Sequence, residues 1–369
     1  MNHVNKIFKE LHKIPEIGFD LFETSRVVQR ELSTLNIPYE IFAKTGIVAT
    51  LDTGSDKTVL LRADMDALPI VENSGLEYSS TGANMHACGH DAHTAMLLAS
   101  ARDLTTRKHE LSCNIIFLFQ PAEERLGGAK AMIDDGALDS VLGKFKKIDS
   151  ALALHVWPEF ETGAVGLKEG ALTAVGAGFE ITITRNGGHV ADTPVSENPI
   201  NKTAQIILGA KNLITSTRRI NITDVNFGTG KSNVVSTKCK FSGDIRALSD
   251  EELNKIFDEL KTLLDEKDTL VTNLSNAYPA MFNDPKLINT LRSQIKTHAE
   301  IREIPAPYFI REDFAYYGKT LGIPSALVLI GCSKKDHIGK NVLHTPTFVC
   351  DQDTLQIGSR ILTDFCLTL

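Results

Sequence analysis

The hydrophobic pattern of the first 170 residues alternates short apolar runs with helical stretches. The apolar runs Thr58–Leu61, Asn114–Phe119 and Ala151–Leu154 predict strands. The spacing of apolar positions predicts helices at Asp91–Leu104 and Gly128–Ile133. Short, continuously apolar strands separated by helices are typical of a sheet that is covered on both faces. This part of the chain is therefore predicted to be an α/β domain.

The pattern changes after Gly176, where apolar and polar residues begin to alternate with a period of two. The predicted elements follow the order β-α-β-β-α and are closed by a further strand, which is the order of a ferredoxin-like α+β unit. Ser249 and Glu252 form a capping box at the start of the second helix. The elements are assigned to Phe179–Thr184, Pro199–Leu213, Val225–Phe227, Lys238–Ile245, a helix from Ser249, and Leu270–Leu274.

The first pattern returns after Tyr278 and Pro279, with a helix predicted around Leu287–His298 and a strand at Ala326–Ile330. We therefore predict one α/β domain, formed by residues 1–175 and 279–369, that is interrupted by a small α+β domain at residues 176–278.

Composition narrows the functional classes. A chain of 369 residues is too long for one ordinary core, which favours two domains. The net charge of −7 gives no basic surface for nucleic acid or an anionic membrane. No apolar stretch approaches the roughly 20 residues of a spanning helix, and the amphipathic N-terminus lacks a signal sequence. We expect a cytoplasmic protein whose six scattered cysteines are mostly reduced and buried.

The stretch Met85–His93 is the most informative for chemistry, because it contains one thiol and three imidazoles within nine residues. Gln120–Glu124 follows some thirty residues later and ends in the paired carboxylates of Glu123 and Glu124. Thiolate, imidazole and carboxylate together suit zinc or a late first-row divalent ion. A second carboxylate beside a ligand can act as the general base of metal-assisted hydrolysis.

Further acidic and imidazole groups follow predicted strands, where functional groups of open α/β sheets gather. Asp64 and Asp66 follow one strand, His155 ends another, and His344 lies in a loop beyond a third. Each residue alone has a structural explanation, since a histidine at a strand end is usually an ordinary core or surface residue. Aspartates after a strand also commonly cap the next helix. Together they predict a metal site.

Five motifs of this chain resemble the M20 metallopeptidase family, in particular its amidohydrolase branch of hippurate, N-acyl-amino-acid and auxin-conjugate hydrolases and N-acetyldiaminopimelate deacetylases. The resemblance extends from about residue 6 to residue 365. It implies a zinc-exopeptidase-like catalytic domain with an inserted ferredoxin-like lid domain that dimerises the protein. The motifs are Leu11–Glu16, Arg62–Pro69, Met85–His93, Gln120–Glu124 and His155–Pro158.

The resemblance implies a two-metal site and its catalytic base. Glu123 would be the general base. Asp64 matches the acidic residue that orients a ligand imidazole, with Asp66 as the alternative, and Arg62 stands where other branches have a histidine. The ions would be Zn, Mn, Co or Ni, and the thiolate of the first ligand would bridge them. The implied ligands are Cys88, His90, Glu124, His155 and His344.

The resemblance also assigns three residues of the insert. His189, in a Gly-Gly-His motif, would reach across a homodimer to the partner's site, while Asn233 and Arg246 would hold the substrate carboxylate. The chain departs from the family pattern after His189, where Pro194 is displaced by one residue and Asp192 adds a negative charge. This departure bears on the loop shape and the substrate preference.

The predicted activity is metal-dependent hydrolysis of the amide bond of N-acyl amino acids, with acetyl, benzoyl or similar acyl groups. One alternative is a di- or tripeptidase of the same family, which would need an acidic group such as Asp192 to hold a substrate ammonium. A second is a non-catalytic dimeric binding module. The predicted partners are a small-molecule substrate and a second copy of the chain, in a dimer or a tetramer, with no nucleic acid and no membrane.

Overall fold

A computed structural model describes residues 3–124 and 127–369, with residues 273–277 described by their backbone only. The chain divides into two compact units. The first consists of the chain up to Leu172, Phe282–Ala306 and Asp313–Leu369, and the second of Thr173–Met281 and Pro307–Glu312. The sequence pattern predicts that the short segment Pro307–Glu312 belongs to the first unit. It lies with the second, where the carbonyl of Ile310 accepts a hydrogen bond from the Ala174 amide.

The N-terminal part of the first unit alternates helices with mostly buried strands. The helices are α1 (His3–His12), α2 (Phe22–Thr34), α3 (His90–Thr106), α4 (Gly128–Asp134) and α5 (Ala137–Lys144). The strands are β1 (Tyr39–Phe42), β2 (Gly46–Leu51), β3 (Thr58–Asp64), β4 (Asn114–Gln120), β5 (Ser150–Glu161), β6 (Ala164–Leu167) and β7 (Gly170–Ala171).

The second unit contains a four-stranded antiparallel sheet in the order β10-β12-β8-β13. Its main elements follow the order β-α-β-β-α-β. The side chain of Ser249 caps α7 by accepting the amide of Glu252, as the sequence predicts, but the Glu252 carboxylate accepts from Arg218 and does not complete the capping box. The elements are β8 (Val175–Thr184), β9 (Gly188–His189), α6 (Pro199–Ala210), β10 (Arg218–Phe227), β11 (Val234–Val235), β12 (Lys238–Ala247), α7 (Asp250–Thr262) and β13 (Thr269–Tyr278).

The C-terminal part of the chain completes the first unit. Its elements are β14 (Phe282–Asn283), α8 (Pro285–Ile295), β15 (Glu300–Glu303), α9 (Ala315–Leu321), β16 (Ser325–Ser333) and α10 (Asp353–Leu367). Short 3-10 segments occur at Lys108–Glu110, Val195–Glu197, Lys211–Leu213 and Lys335–His337. None of the described helices has the length and hydropathy that crossing a bilayer requires.

An eight-stranded sheet in the order β1-β2-β4-β3-β5-β16-β6-β15 forms the centre of the first unit. Neighbours among β4, β3, β5 and β16 are parallel, and all residues of β3, β4 and β16 are buried. The central residues of these strands are apolar on both sides, as expected of a sheet with both faces covered, and the carboxyl ends of the four strands lie along one edge. His155 is an exception to the sequence prediction: β5 continues to Glu161, so His155 lies within the strand rather than at its end.

Candidate metal centre

The loop before α3 and the strand β5 bring a thiol and an imidazole together. Gly89 adopts a φ of +82°, and an added Cβ would lie 2.3 Å from Val156 Cγ2. This left-handed turn therefore requires glycine, and it separates Cys88 from His90 at the start of α3. Cys88 Sγ lies 3.5 Å from Nε2 of His155. The other ring nitrogen of His155, Nδ1, is 2.8 Å from the Val156 carbonyl and donates to it, which orients Nε2 toward the thiol.

Two further segments converge on the same thiol. Nε2 of His344 is 3.3 Å from Cys88 Sγ and 3.3 Å from Oε1 of Glu124. The loop of His344 is fixed near the thiol, because the His344 amide donates to the Ala87 carbonyl at 2.8 Å. Nε2 of His90 lies 4.0 Å from Oε1 of Glu124. The structure thus gathers all five residues that the sequence predicts as ligands.

The donor atoms form two trios that share one sulfur. Cys88 groups with His90 and His155, and it also groups with Glu124 and His344; within each trio the ligand atoms lie within 4.8 Å of one another. A thiolate common to both trios is the arrangement that a bridging ligand between two ions requires. Among the described residues, two buried atoms of the site have no partner with hydrogen-bond geometry: Nε2 of His90, and Oε1 of Glu124, which His344 approaches to 3.3 Å only as an ion-pair contact. Buried polar atoms of this kind are costly, and bound cations would satisfy both.

The electrostatics of the cluster favour a cation. Burial opposes the charged form of His90, but Asp64 and Cys88 outweigh it and raise the pKa of this imidazole well above its ordinary value. Burial and then the Glu124 carboxylate raise the pKa of the Cys88 thiol. Burial opposes ionisation of Glu124, but its contacts with His344 and His90 lower the pKa of the carboxyl. The same negative potential that favours protons here would favour metal ions.

Glu123 is presented beside this cluster by a tightly constrained loop. Glu123 is largely buried, and its carboxylate lies in one group with the imidazole of His90 and the carboxylate of Glu124. Ala122 has a φ of +58°, an unusual conformation for a residue with a Cβ. Both carboxylate oxygens of Asp66 accept loop amides, from Glu123 and from Glu124, each at 3.1 Å. Backbone bonds to one carboxylate therefore hold the two glutamates in place.

Asp64 and Asp66 both adjoin His90 but contact different nitrogens. Oδ1 of Asp66 is 3.3 Å from Nδ1 of His90, which leaves Nε2 directed at the cluster. Oδ2 of Asp64 is 3.6 Å from Nε2, and its nearest partners are His93, at 2.6 Å from Oδ1, and Arg62, at 2.7 Å from Oδ2. The contact at Nδ1 is the one that orients a ligand imidazole.

His93 supports the candidate ligands, a role that the sequence pattern does not predict. Its Nε2 accepts the Val156 amide at 2.8 Å, so its Nδ1 must carry the proton that is donated to Asp64. Burial lowers the pKa of His93 to about 4, which keeps this neutral tautomer. The ring lies between the candidate ligands, 5.5 Å from the His90 centroid and 4.7 Å from that of His155. No sequence signal distinguishes this packing role from ligation.

A second set of buried polar side chains braces the ends of β3 and β4. Arg62 donates to Gln120 at 3.0 Å and to Asp313 at 2.8 Å, in addition to Asp64. Asp313 also accepts from Gln120 and from the Ala129 amide at 2.9 Å. The guanidinium thus ties the strand of Asp64 to the strand that leads into the glutamate loop. Asp313 is 193 residues from Gln120, so only the fold reveals this contact.

The remaining predicted site residues belong to the second unit. His189, on β9, lies opposite Val234 on β11, and the Val190 amide donates to the Asn233 carbonyl at 3.1 Å. Asp192 Oδ2 is 3.9 Å from Nδ1 of His189. Arg246 lies on β12 and donates to Asp244 and, at 3.4 Å, to the Phe309 carbonyl. His189 and Asn233 thus lie close together at a separate two-stranded antiparallel sheet of β9 and β11, while Arg246 lies in the four-stranded sheet.

Known proteins provide an independent comparison. A model of Peptidase family M20/M25/M40 matches residues 60–368. The chain is 32% identical over 384 residues to the Arabidopsis thaliana protein IAA-amino acid hydrolase ILR1-like 5, with 96% of this chain and 84% of that protein covered.

Two solved structures extend the similarity over the whole chain. A protein from methicillin-resistant Staphylococcus aureus has a TM-score of 0.87 and 31% identity, with 99% of this chain and 96% of that chain covered. Bacillus subtilis YXEP, described as a dinuclear metal binding peptidase from the M20 family, has a TM-score of 0.84 and 27% identity, with 99% and 97% covered. The chain therefore belongs to the M20 peptidase family, and it is a hydrolase with the mixed α/β fold of that family.

Proposed function

We propose that this enzyme hydrolyses the amide bond of N-acyl amino acids and releases a carboxylate and a free amino acid. The observation that carries the proposal is that the Cys88 sulfur lies in two groups of candidate metal ligands. The Glu123 carboxylate lies beside them but belongs to neither of these two groups. The relative in Arabidopsis thaliana, named as an IAA-amino acid hydrolase, supports an amino-acid conjugate as the substrate class. We further propose that the second unit is a ferredoxin-like lid through which two chains dimerise.

Two divalent ions held by Cys88, His90, Glu124, His155 and His344 would polarise the scissile carbonyl and lower the pKa of an attacking water. Glu123 would accept the proton of that water and later deliver it to the leaving amine. Asp66 contributes by fixing both the imidazole of His90 and the loop of Glu123.

The second unit would supply the substrate contacts. The imidazole of His189, from the partner chain, would stabilise the developing oxyanion. Arg246 would bind the α-carboxylate through its planar fork of donors, and Asn233 would donate to the same carboxylate or to the oxyanion.

Hydrolysis of N-acetyl amino acids compared with their carboxamides tests this assignment. We expect the acids to be the better substrates. For them, Arg246→Ala should lower kcat/KM, which corresponds to an increase of about 2–3 kcal/mol in the activation free energy, the scale of a charge-assisted hydrogen bond. The amides, which lack the carboxylate, should be nearly unaffected by the substitution. Lys240→Ala is a matched control, because it removes a positive charge from the same strand and its ammonium pairs with Glu180 instead.

Equal hydrolysis of acids and amides by the unmodified enzyme would contradict carboxylate recognition. Preference for peptides with a free amino terminus would favour the peptidase alternative, for which Asp192 beside His189 is the candidate partner of an ammonium.

A further inference from the structure

Three arginines of the second unit converge on one face of its sheet. Arg219 on β10 lies directly opposite Arg246 on β12, and Arg246 lies opposite Gly176 on β8. Gly176 in turn lies opposite Tyr278 on β13. Residues that are directly opposite in an antiparallel sheet project from the same face. The third arginine, Arg311, comes from the segment Pro307–Glu312. Its guanidinium lies over the Tyr278 ring, 5.3 Å from the centroid.

The absence of a side chain at Gly176 makes room for two of these arginines. A Cβ added there would lie 2.7 Å from Cδ of Arg246 and 2.8 Å from Cδ of Arg311. The aliphatic stems of the two arginines therefore pass side by side over the glycine. This packing brings two guanidinium groups together on the sheet although their charges repel.

Around the three arginines Arg219, Arg246 and Arg311, which we call the arginine cluster, positive charges outnumber negative ones. In the described part of the chain, Asp244 is the one carboxylate within 4.0 Å of Arg246 or Arg311, it accepts from Nε of Arg246, and no carboxylate lies that close to Arg219. Its other oxygen is 3.9 Å from Arg311, which is too far for a hydrogen bond. Three positive charges thus face one negative charge, which leaves two uncompensated.

The three guanidinium groups differ in how far they are already engaged. Arg219 lies over the Phe309 ring, 4.1 Å from its centroid, and donates to the carbonyls of Thr215 and Arg218. Arg246 donates to Asp244 and to the Phe309 carbonyl. Arg311 makes no hydrogen bond to any described residue, and its side chain is 34% exposed. The Tyr278 ring and the 3.9 Å approach of Asp244 hold its guanidinium in place, and its five donors remain available to hydrogen-bond an anion.

We propose that Arg311 binds a second carboxylate of the substrate, so that the preferred substrates are N-acyl derivatives of acidic amino acids. This inference rests on the proposed function, in which Arg246 binds the α-carboxylate. The neighbouring Arg311 would then take the carboxylate of the amino-acid side chain. A dianion matches the two uncompensated positive charges, whereas a neutral side chain would leave the guanidinium of Arg311 without a partner.

Hydrolysis of N-acetylglutamate and N-acetylglutamine tests the inference, because the two side chains have the same shape and differ in charge. We expect kcat/KM to favour N-acetylglutamate by about tenfold or more, the scale of a charge-assisted contact. Arg311→Gln should abolish that preference by slowing N-acetylglutamate alone, with N-acetylglutamine unchanged within about twofold. Lys240→Gln should keep the preference, since it removes a charge from the same sheet outside the cluster.

Calorimetric binding of glutarate and of butyrate to the metal-loaded enzyme gives a second readout without turnover. The unmodified protein should bind glutarate more tightly than butyrate, and Arg311→Gln should remove the difference. Equal rates on both substrates, together with glutarate binding that Arg311→Gln leaves unchanged, would overturn the inference but leave the proposed function standing. If neither substrate is hydrolysed, the proposed function fails, and a glutarate affinity that depends on Arg311 still supports the anion site.

Discussion

At the scale of single residues, Asp66 connects the two halves of the candidate centre. One carboxylate receives the amides of Glu123 and Glu124 and contacts Nδ1 of His90. Partners of this kind set the orientation and basicity of a ligand. A displacement of Asp66 would therefore move the proposed metal ligand His90 and the proposed general base Glu123 together.

The substitution Asp66→Asn should weaken metal binding about 10–100-fold, the usual effect of removing a ligand's supporting partner. The amide group would present donors to backbone amides that are themselves donors, so the loop of Glu123 should also lose its anchor. Metal titration after dialysis against a chelator measures the affinity. Asp64→Asn is the comparison variant, because Asp64 lies nearer to His93 and Arg62. If Asp64→Asn loses metal and Asp66→Asn does not, Asp64 is the orienting residue.

The sequence reveals residue types at this scale but not their partners. Thiol, imidazole and carboxylate donors are recognisable in Met85–His93 and Gln120–Glu124 because their chemistry is local. The sequence alone left Asp64 and Asp66 as alternatives, since both follow the same strand. It also gave no role to His93, whose neutral tautomer depends on a hydrogen bond from β5. Contacts between distant segments require the fold.

At the scale of elements, a buried charged triad joins α1 to α3. Nδ1 of His12, at the end of α1, is 2.6 Å from Oδ2 of Asp91 in the first turn of α3. Its Nε2 is 3.1 Å from Oε1 of Glu72, which also accepts the Ser80 amide through its other oxygen. Burial disfavours the charged imidazole, but the two carboxylates outweigh it and raise the pKa of His12 to about 10.

This pKa gives stability a definite dependence on pH. Because folding raises the pKa of His12 from 6.5 to about 10, its stabilisation is complete below about pH 6.5 and is lost as the pH rises through about 10. His12→Gln should cost about 3 kcal/mol at pH 6, since it leaves buried carboxylates without their cation. Urea unfolding at pH 6 and pH 10 should show the difference shrinking at the higher pH.

His109→Gln is the control for this measurement, because the side chain of His109 is 79% exposed. It should change the unfolding free energy little at either pH. A cost of His12→Gln that stays constant between pH 6 and pH 10 would show that the imidazole is not bound as a cation.

Element types were more predictable than their ends. The buried strands β3, β4 and β16 and the helix α3 have apolar patterns that predict them directly, because both faces of the sheet are covered. The end of β5 was not predictable, since its continuation beyond His155 depends on pairing with β16 as far as Glu161. Backbone pairing with another strand has no signature in the local sequence.

At the scale of the whole molecule, each active site of the proposed dimer would contain residues from both chains. The sheet of the second unit has β10 and β13 as edge strands, and both carry exposed apolar residues, among them Phe227 and Val271. Exposed apolar edge strands are ready to pair with another chain. In a two-fold dimer each chain would contribute His189 to its partner's site and receive the same residue in return.

Mixing two inactive variants tests this sharing. His189→Ala and Glu123→Gln should each be inactive alone, whereas subunit exchange between them should restore about a quarter of the wild-type activity. Half of the dimers are then mixed, and each mixed dimer has one complete site. Activity after exchange is measured against each variant exchanged with itself. If His189 serves the site of its own chain, no mixed dimer is complete and no activity returns.

Glu124 is proposed to bind metal, and the adjacent Glu123 to act as the general base. Metal content after exhaustive dialysis, measured together with hydrolysis of an N-acetyl amino acid, separates the two roles in matched Glu→Gln variants. Glu123→Gln should retain both ions and lose at least ~10²-fold in rate, the scale of general-base catalysis. Glu124→Gln should lose metal. Equal loss of metal from both variants, or full activity of Glu123→Gln, would contradict the account.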